Sequence, residues 1–230
     1  MDAGGGRPGC EACDVRVLAV CRAVDPARLP RLAAIASCVR VEAGRAQGDP
    51  AEQVYTLTKG TLKLYKLMAD GRRQVVGFLV PGDFLGLAFG RTYAYTAEAI
   101  TPVAACRFPR ARFMALLEEF PALEREILSR TSNELAAAQR QMLLLGRKTA
   151  RERLASFLVD LAERSVAGGG PLELPMGRAD IADHLGLTIE TVSRTFTGLR
   201  REGVIDLPSA HQLVVRKPGE LARIAARRGE

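Results

Sequence analysis

The sequence predicts an α+β protein in three parts: a small β-sandwich or roll, a long helix, and a winged helix-turn-helix. Three observations carry this expectation. Short alternating runs broken by turn dipeptides fill residues 54–83. An apolar series stepping by three and four runs from Leu128 to Leu145. A helix–glycine–helix pattern and then a hairpin occupy residues 179–215.

Each element follows from local chemistry. Residues 1–22 read as a loose tail carrying Cys10, Cys13 and Cys21, and residues 26–37 as a short Ala/Leu-rich helix. Tyr55 and Leu57 then alternate with threonines, Lys59-Gly60 turns the chain, and Leu62 and Leu64 resume the alternation of a half-buried strand. Asp70-Gly71 marks a second turn, residues 75–80 a further strand, and Pro81-Gly82-Asp83 a third turn. Strands this short, at this spacing, suit a small sandwich or roll. Residues 109–120 form a short helix with Phe113, Leu116, Leu117 and Phe120 on its apolar side.

The longest helical signal follows Pro121. Leu128, Thr131, Leu135, Ala138, Met142 and Leu145 describe the seam of a coiled coil, which reads as a dimerisation helix over 121–147. The alternative at this point is a helix packed on its own domain. Residues 147–164 continue as a second helix with Leu154, Phe157, Leu158 and Leu161 on one face, and Gly168-Gly169-Gly170-Pro171 opens a loop. The expected divisions are 1–22, 23–120, 121–147 and 148–230.

Composition narrows the function classes. The chain has 230 residues, 47% hydrophobic and 26% charged, which suits a folded core and excludes wholesale disorder. No apolar run approaches the roughly 20 residues that span a bilayer, and the Gly-rich start lacks the apolar centre of a secretory signal. The expectation is a cytoplasmic protein with no membrane partner. The formal charge of +7 is spread along the chain, so a nucleic-acid reading must rest on a motif.

Residues 179–199, ADIADHLGLTIETVSRTFTGL, supply that motif. Ile181, Ala182 and Leu185 bury one helix, Gly186 makes the tight turn, Thr188 caps the second helix, and Val192, Phe196 and Leu199 bury it. Glu190, Thr191, Ser193, Arg194 and Thr197 are left for the major groove of double-stranded DNA. Arg pairs with guanine through two bonds, Glu accepts from cytosine, and Ser contacts either partner type. Glu190 and Arg194 are also four apart, the spacing of an ordinary surface ion pair. Residues 204–207 and 212–215 add a hairpin wing.

Five cysteines without a secretory signal point to thiols, ligands or sensors, not to a disulfide framework. Cys10-x2-Cys13-x7-Cys21 together with Cys106 offers four thiolates, the number an iron–sulfur cluster needs. On spacing alone, unliganded thiols stay open as the other reading. Zinc would call for a second C-x2-C or C/H pair, which is missing.

PMGRADIADHLGLTIETVSRTF resembles the DNA-binding domain of the CRP/FNR transcription regulators, and the E-x-x-S-R order of Glu190, Ser193 and Arg194 resembles their FNR/FixK side. The resemblance covers nearly the whole chain. It implies a cyclic-nucleotide-binding-like β-roll, a long dimerisation helix containing KTARERLASFL at its exit, and a winged helix-turn-helix. It implies that Glu190, Ser193 and Arg194 read a TTGA-type half-site, repeated as a palindrome for a homodimer. RNA polymerase is the implied protein partner, with residues 69–73 as a contact loop; a plain solvated turn is the competing reading.

The resemblance also bears on what the roll would sense. Cyclic-nucleotide members use a Gly-Glu pair and a later Arg-Ser that neutralises the phosphate. Here Gly82-Asp83 is present, but Tyr95-Thr96 stands at the Arg-Ser position and Arg91 lies too early, so no cyclic nucleotide is expected. FNR-type oxygen sensors instead carry three N-terminal cysteines and a fourth in a context like VAACRFPR, holding an oxygen-labile [4Fe-4S] cluster that favours the DNA-binding dimer. By resemblance the ligands are Cys10, Cys13, Cys21 and Cys106, with the seven-residue gap of the FnrN-type branch. Cys38 falls outside this pattern and reads as a small apolar filler. A clusterless FixK-type regulator, controlled by abundance or cysteine oxidation, is the alternative, and a haem-based carbon monoxide sensor lacks an axial histidine in the roll. One departure is visible: only Arg45-Ala46-Gln47 separates Val41-Glu42-Ala43-Gly44 from Gly48-Asp49, which predicts a shortened strand. No enzyme is expected. The only histidines are His184 and His211, and no P-loop or G-x-S-x-G occurs.

Overall fold

The expected α+β plan is present in the computed structural model, which describes residues 10, 13–41, 47–86, 91–164 and 171–226. They form two compact units that part within the long helix, the first ending at Leu135 and the second starting at Ala136, with Arg73–Val75 grouped in the second. The segment of the expected strand shortening (42–46) and the glycine run 168–170 lie outside the described residues.

The first unit is built on β1 (Ser37–Val41), β2 (Gln53–Lys59), β3 (Leu62–Leu67), β4 (Arg73–Leu79), β5 (Phe84–Leu85), β6 (Thr96–Ala99) and β7 (Val103–Pro109). One antiparallel sheet has the order β1-β7-β2-β5 and the other β4-β3-β6. Side chains alternate across each strand, so the four-stranded sheet has two different faces. Tyr55, Leu57, Val103 and Ala105 pack toward the second sheet with Leu62 and Tyr93. Val54 and Phe108 lie on the other face, where α1 (Leu29–Ile35), α2 (Arg110–Glu119) and the start of α3 (Pro121–Arg147) cover them. Phe113 of α2 fills the centre, its ring 5.2 Å from that of Phe84 and 5.5 Å from that of Phe108. Each such fully buried ring stabilises the unit by about 1.5–3 kcal/mol relative to exposure.

The N-terminal cysteine segment differs from the loose tail expected. From Cys13 onward it is turned and packed: residues Val20–Ala23 form a 3-10 turn, Ala19 is buried, and Val20 and Val24 join the same core as α1 and α2. Three apolar positions in six residues were enough to seat it, a pattern too short to register as periodic. Polar staples hold it as well. Arg22 pairs with Glu126 of α3 at 3.0 Å, and Arg130 of α3 donates to the carbonyls of Leu18 and Gly82 while bonding Glu126 at 2.8 Å.

The second unit contains the rest of α3, α4 (Ala150–Arg164), β8 (Leu172–Glu173), α5 (Arg178–Leu185), α6 (Ile189–Arg201), β9 (Ile205–Ser209), β10 (Gln212–Val215) and α7 (Pro218–Ala226). β8, β10 and β9 make a three-stranded wing; β8 and α7 were not expected from the sequence. Thr149 and Glu152 form a reciprocal capping box that starts α4, with bonds of 2.9 and 3.4 Å. Leu154, Leu158, Ile181, Leu185, Val192, Phe196, Leu199 and Leu213 make the core.

Gly186 ends α5 in the left-handed region at φ +61. A Cβ there would lie 3.2 Å from the Leu145 side chain. Arg153 secures this junction by donating to the carbonyls of Leu145 (2.8 Å) and Leu185 (2.9 Å), both left unpaired at helix C-termini. Gly186→Ala is therefore expected to destabilise the unit by roughly 1–2 kcal/mol, read as a lower midpoint in thermal circular dichroism. An unchanged midpoint would show that the turn relaxes around a methyl group.

Along α3 the expected seam is mostly bare. Leu128, Leu135 and Met142 are 66%, 61% and 65% exposed, and Ala138 is exposed with them. Thr131 is half-buried and its hydroxyl donates to the Ile127 carbonyl at 2.9 Å. Leu145 is half-buried beside the Gly186 turn, so it leaves the exposed stripe.

Candidate functional site

Two regions carry chemistry, one in each unit. In the first, strand register builds a row across the four-stranded sheet: Cys38 of β1 opposes Cys106 of β7, Cys106 opposes Thr56 of β2, and Thr56 opposes Phe84 of β5. Directly opposed residues share a face. Cys106 packs on the α1–α2 core, and Cys10 and Cys21 pack against that same core from the N-terminal segment. The fold thus brings Cys106 to cysteines distant from it in sequence.

The thiols feel one another. Burial, and then the neighbouring Cys38, Cys21, Cys13 and Cys10, push Cys106 up to about 12. Burial and then Cys10 and Cys13 push Cys21 up to about 11, and burial with Cys13 and Cys38 raises Cys10. All three are protonated at neutral pH in the metal-free protein. Among the described residues no group of three His, Cys, Asp or Glu is set for a metal ion, so the sulfurs converge without closing on a common point. The donor set still fits an iron–sulfur group in kind: four soft thiols, and beside Cys106 the buried Thr56 hydroxyl, which has no hydrogen-bond partner. Cys38 is exposed on an edge strand, so the expectation of a small apolar filler is corrected. Its register opposite Cys106 places it on the same face, and among the described residues β1 pairs with β7 alone.

Gly82 has a different job from the one its motif suggests. A Cβ there would stand 2.6 Å from the Cβ of Leu18, so the bare glycine is the seat of the cysteine segment. Asp83 accepts from the Val80 N–H at 2.9 Å. Tyr95 is exposed, and the Thr96 hydroxyl accepts from the Gln47 N–H at 3.1 Å. Residues 69–72 turn the chain, with the Asp70 carboxylate accepting from Arg72 at 3.0 and 2.7 Å, and Arg73 opens β4.

In the second unit α6 carries the residues expected to read DNA. Thr188 caps it by accepting from the Thr191 N–H at 3.2 Å. Of the five expected reading residues, Glu190, Ser193, Arg194 and Thr197 are exposed and Thr191 is half-buried. The Thr191 hydroxyl is engaged with that of Thr188 at 3.0 Å, and the Thr197 hydroxyl donates to the Ser193 carbonyl at 3.0 Å. Glu190, Ser193 and Arg194 keep their polar ends outward. Glu190 is held below the usual carboxylate range first by its own backbone N–H and then by the Thr188 hydroxyl, with Arg194 contributing least. Among the described residues Glu190 and Arg194 form no ion pair; the nearest polar partner of Arg194 is the Thr191 hydroxyl at 3.5 Å.

Sequence reasoning missed the residues that position these surfaces. Arg130 and Arg153 look like ordinary helix cations until the carbonyls they serve are known. Arg178, whose guanidinium stacks 3.4 Å from the Phe196 ring centre, supports α6 from below and keeps one buried N–H without a partner. Arg200 pairs with Asp206 at 3.8 Å and Arg201 is exposed at the end of α6.

Comparison with known proteins agrees with this fold. Residues 152–224 match the model of the Crp-like helix-turn-helix domain, and residues 45–120 that of the cyclic nucleotide-binding domain. The chain is 46% identical over 203 residues to the transcriptional activatory protein AadR of Rhodopseudomonas palustris, covering 85% of each chain. It is 40% identical over 216 residues to the transcriptional activator protein FnrL of Cereibacter sphaeroides, covering 90% of this chain and 87% of that one. Its fold matches the structure of FixK2 from Bradyrhizobium japonicum with a TM-score of 0.79 at 37% identity, over 84% of this chain and 98% of that one.

Proposed function

The chain belongs to the CRP/FNR family of DNA-binding transcription regulators, which are not enzymes, and from that premise we propose that it is a cytoplasmic, oxygen-responsive regulator. It holds a [4Fe-4S] cluster through Cys10, Cys13, Cys21 and Cys106, and binds TTGA-type palindromes as a homodimer. The observation that carries the reading is the convergence of Cys106 with the N-terminal cysteines on one core, beside an unpartnered hydroxyl. Convergence of half-buried thiols is costly unless something uses them, since deprotonation of Cys10, Cys21 and Cys106 is opposed by burial and by neighbouring thiols.

When bound, such a cluster supplies a cationic centre that takes the four thiolates and is itself altered by oxygen. The protein's own residues do the rest. Arg130, Glu126 and Arg22 hold the cysteine segment on α3, and Thr56, opposite Cys106 in the ladder, has a hydroxyl that no protein group uses. The exposed stripe of Leu128, Leu135, Ala138 and Met142 is the dimer surface, because an uncovered apolar line of this length is costly in water. Two α6 helices related by a two-fold axis then enter successive major grooves about one helical turn apart. Residues 69–73 offer RNA polymerase a self-bonded turn. A cyclic nucleotide finds no guanidinium at Tyr95-Thr96.

The FixK-type alternative has its own support in the AadR and FixK2 likenesses and in the absence of a preset metal trio among the described residues. Iron and acid-labile sulfide per chain after anaerobic, iron-replete purification separate the two. The expected result is brown protein near 4 iron per chain that bleaches in air. Colourless protein that still binds the palindrome would establish the clusterless regulator.

A further inference from the structure

We propose that Cys38 and Cys106 form a redox pair that closes as a cross-strand disulfide under peroxide. The two residues are register partners in the antiparallel pair β1–β7, both thiols are free, and Cys38 is exposed while Cys106 is half-buried. Opposed residues in such a ladder have Cα atoms about 4.5–5.5 Å apart, inside the roughly 4.4–6.8 Å range of disulfides. Their Cβ atoms lie about 4.5–5.5 Å apart, against about 3.5–4.5 Å in a disulfide, so a small closing shift suffices. Among the described residues β1 is the edge of its sheet, with β7 as its one neighbour, and can make that shift at little cost.

The chemistry balances with a hydroperoxide as oxidant. The exposed Cys38 sulfur attacks one peroxide oxygen, the O–O bond breaks, and a sulfenic acid and an alcohol (or water) are formed. Cys106 then attacks the Cys38 sulfur, the S–O bond breaks, and water leaves as the S–S bond forms. Two thiols are oxidised, one peroxide is reduced, and a dithiol reductant reverses the step. The competing partners of Cys106 sit on another segment, whereas Cys38 is fixed opposite it by strand hydrogen bonds.

The consequence rests on the cluster reading: a Cys106 held in a disulfide is no longer a ligand, so peroxide would block iron uptake by metal-free protein independently of oxygen. The bond itself does not depend on that reading. Full-length protein with Cys10, Cys13 and Cys21 all changed to Ser retains only the pair and holds no cluster. After equimolar hydrogen peroxide, alkylation and peptide mapping, this variant and the metal-free wild type should both yield a Cys38–Cys106 linked peptide, restored to two thiols by dithiothreitol. In wild type this oxidation should also prevent iron reconstitution until reduction. Two free thiols, links between chains, or a wild-type Cys106 joined to the N-terminal cysteines would each overturn the proposal. Wild type that forms the link yet never takes up iron even when reduced would instead sink the cluster reading and leave the redox pair standing.

Discussion

Arg194→Ala is expected to weaken binding to a TTGA-type palindrome by about 1–3 kcal/mol per half-site, roughly 5- to 150-fold, and to erase preference at one guanine. The expectation follows from how α6 is built. Burial of Val192, Phe196 and Leu199 fixes the rotation of the helix, and the Thr188 cap fixes its start. Arg194 is then exposed, and among the described residues no carboxylate forms an ion pair with its guanidinium, although Glu190 lies near enough to feel its charge. A free planar fork can satisfy both acceptors of a guanine edge, which an alanine leaves unpaired. Glu190→Ala should behave differently, relaxing specificity with a smaller loss of affinity, because a carboxylate near phosphates repels more than it attracts. The measurement is binding of wild type and both variants to a panel of half-site sequences at fixed salt. An equal loss across every sequence would make Arg194 a phosphate contact and move base reading elsewhere on α6.

Single serine replacements at Cys10, Cys13, Cys21 or Cys106 should each remove nearly all iron from anaerobically purified protein, whereas Cys38→Ser should retain it. A serine oxygen at neutral pH is a hard, protonated donor and does not replace a thiolate on iron. Loss at Cys106 is the most informative of the four, because its strand position is set by β-ladder pairing on both sides and does not depend on the N-terminal segment. Retention of iron in Cys106→Ser would mean that the N-terminal cysteines bind metal alone, and the convergence on the sheet would then be packing only.

What could be read from the residues was what depends on near neighbours. The helix-turn-helix was legible because Gly186, Thr188 and the buried positions of α5 and α6 all lie within 21 residues, and their spacing is set by helix geometry. The two strands that flank the Lys59-Gly60 turn were legible for the same reason, although they belong to different sheets. The row Cys38–Cys106–Thr56 was not, because it depends on the register between strands separated by long stretches of chain. Nor was the seating of the N-terminal segment, since Gly82 matched a ligand-binding motif while its bare face receives Leu18. Leu145 fitted a seven-residue repeat perfectly, yet its surroundings are those of a turn. Arg130 and Arg153 were invisible for a simpler reason: a long cation that serves backbone carbonyls has no sequence signature.

The Arg130 fork has a thermodynamic consequence. One guanidinium joins the Leu18 and Gly82 carbonyls to α3, one residue before Thr131 and two after Leu128. Order in the cysteine segment and order in that turn of the helix therefore share a free-energy contribution. Linkage is reciprocal: if ordering the segment favours pairing of two helices, pairing must favour ordering of the segment by the same factor. For the proposed dimer, the tenacity with which the cysteines hold their cargo would then rise with protein concentration, and operator DNA, by drawing two chains together, would protect a site in the other half of the molecule.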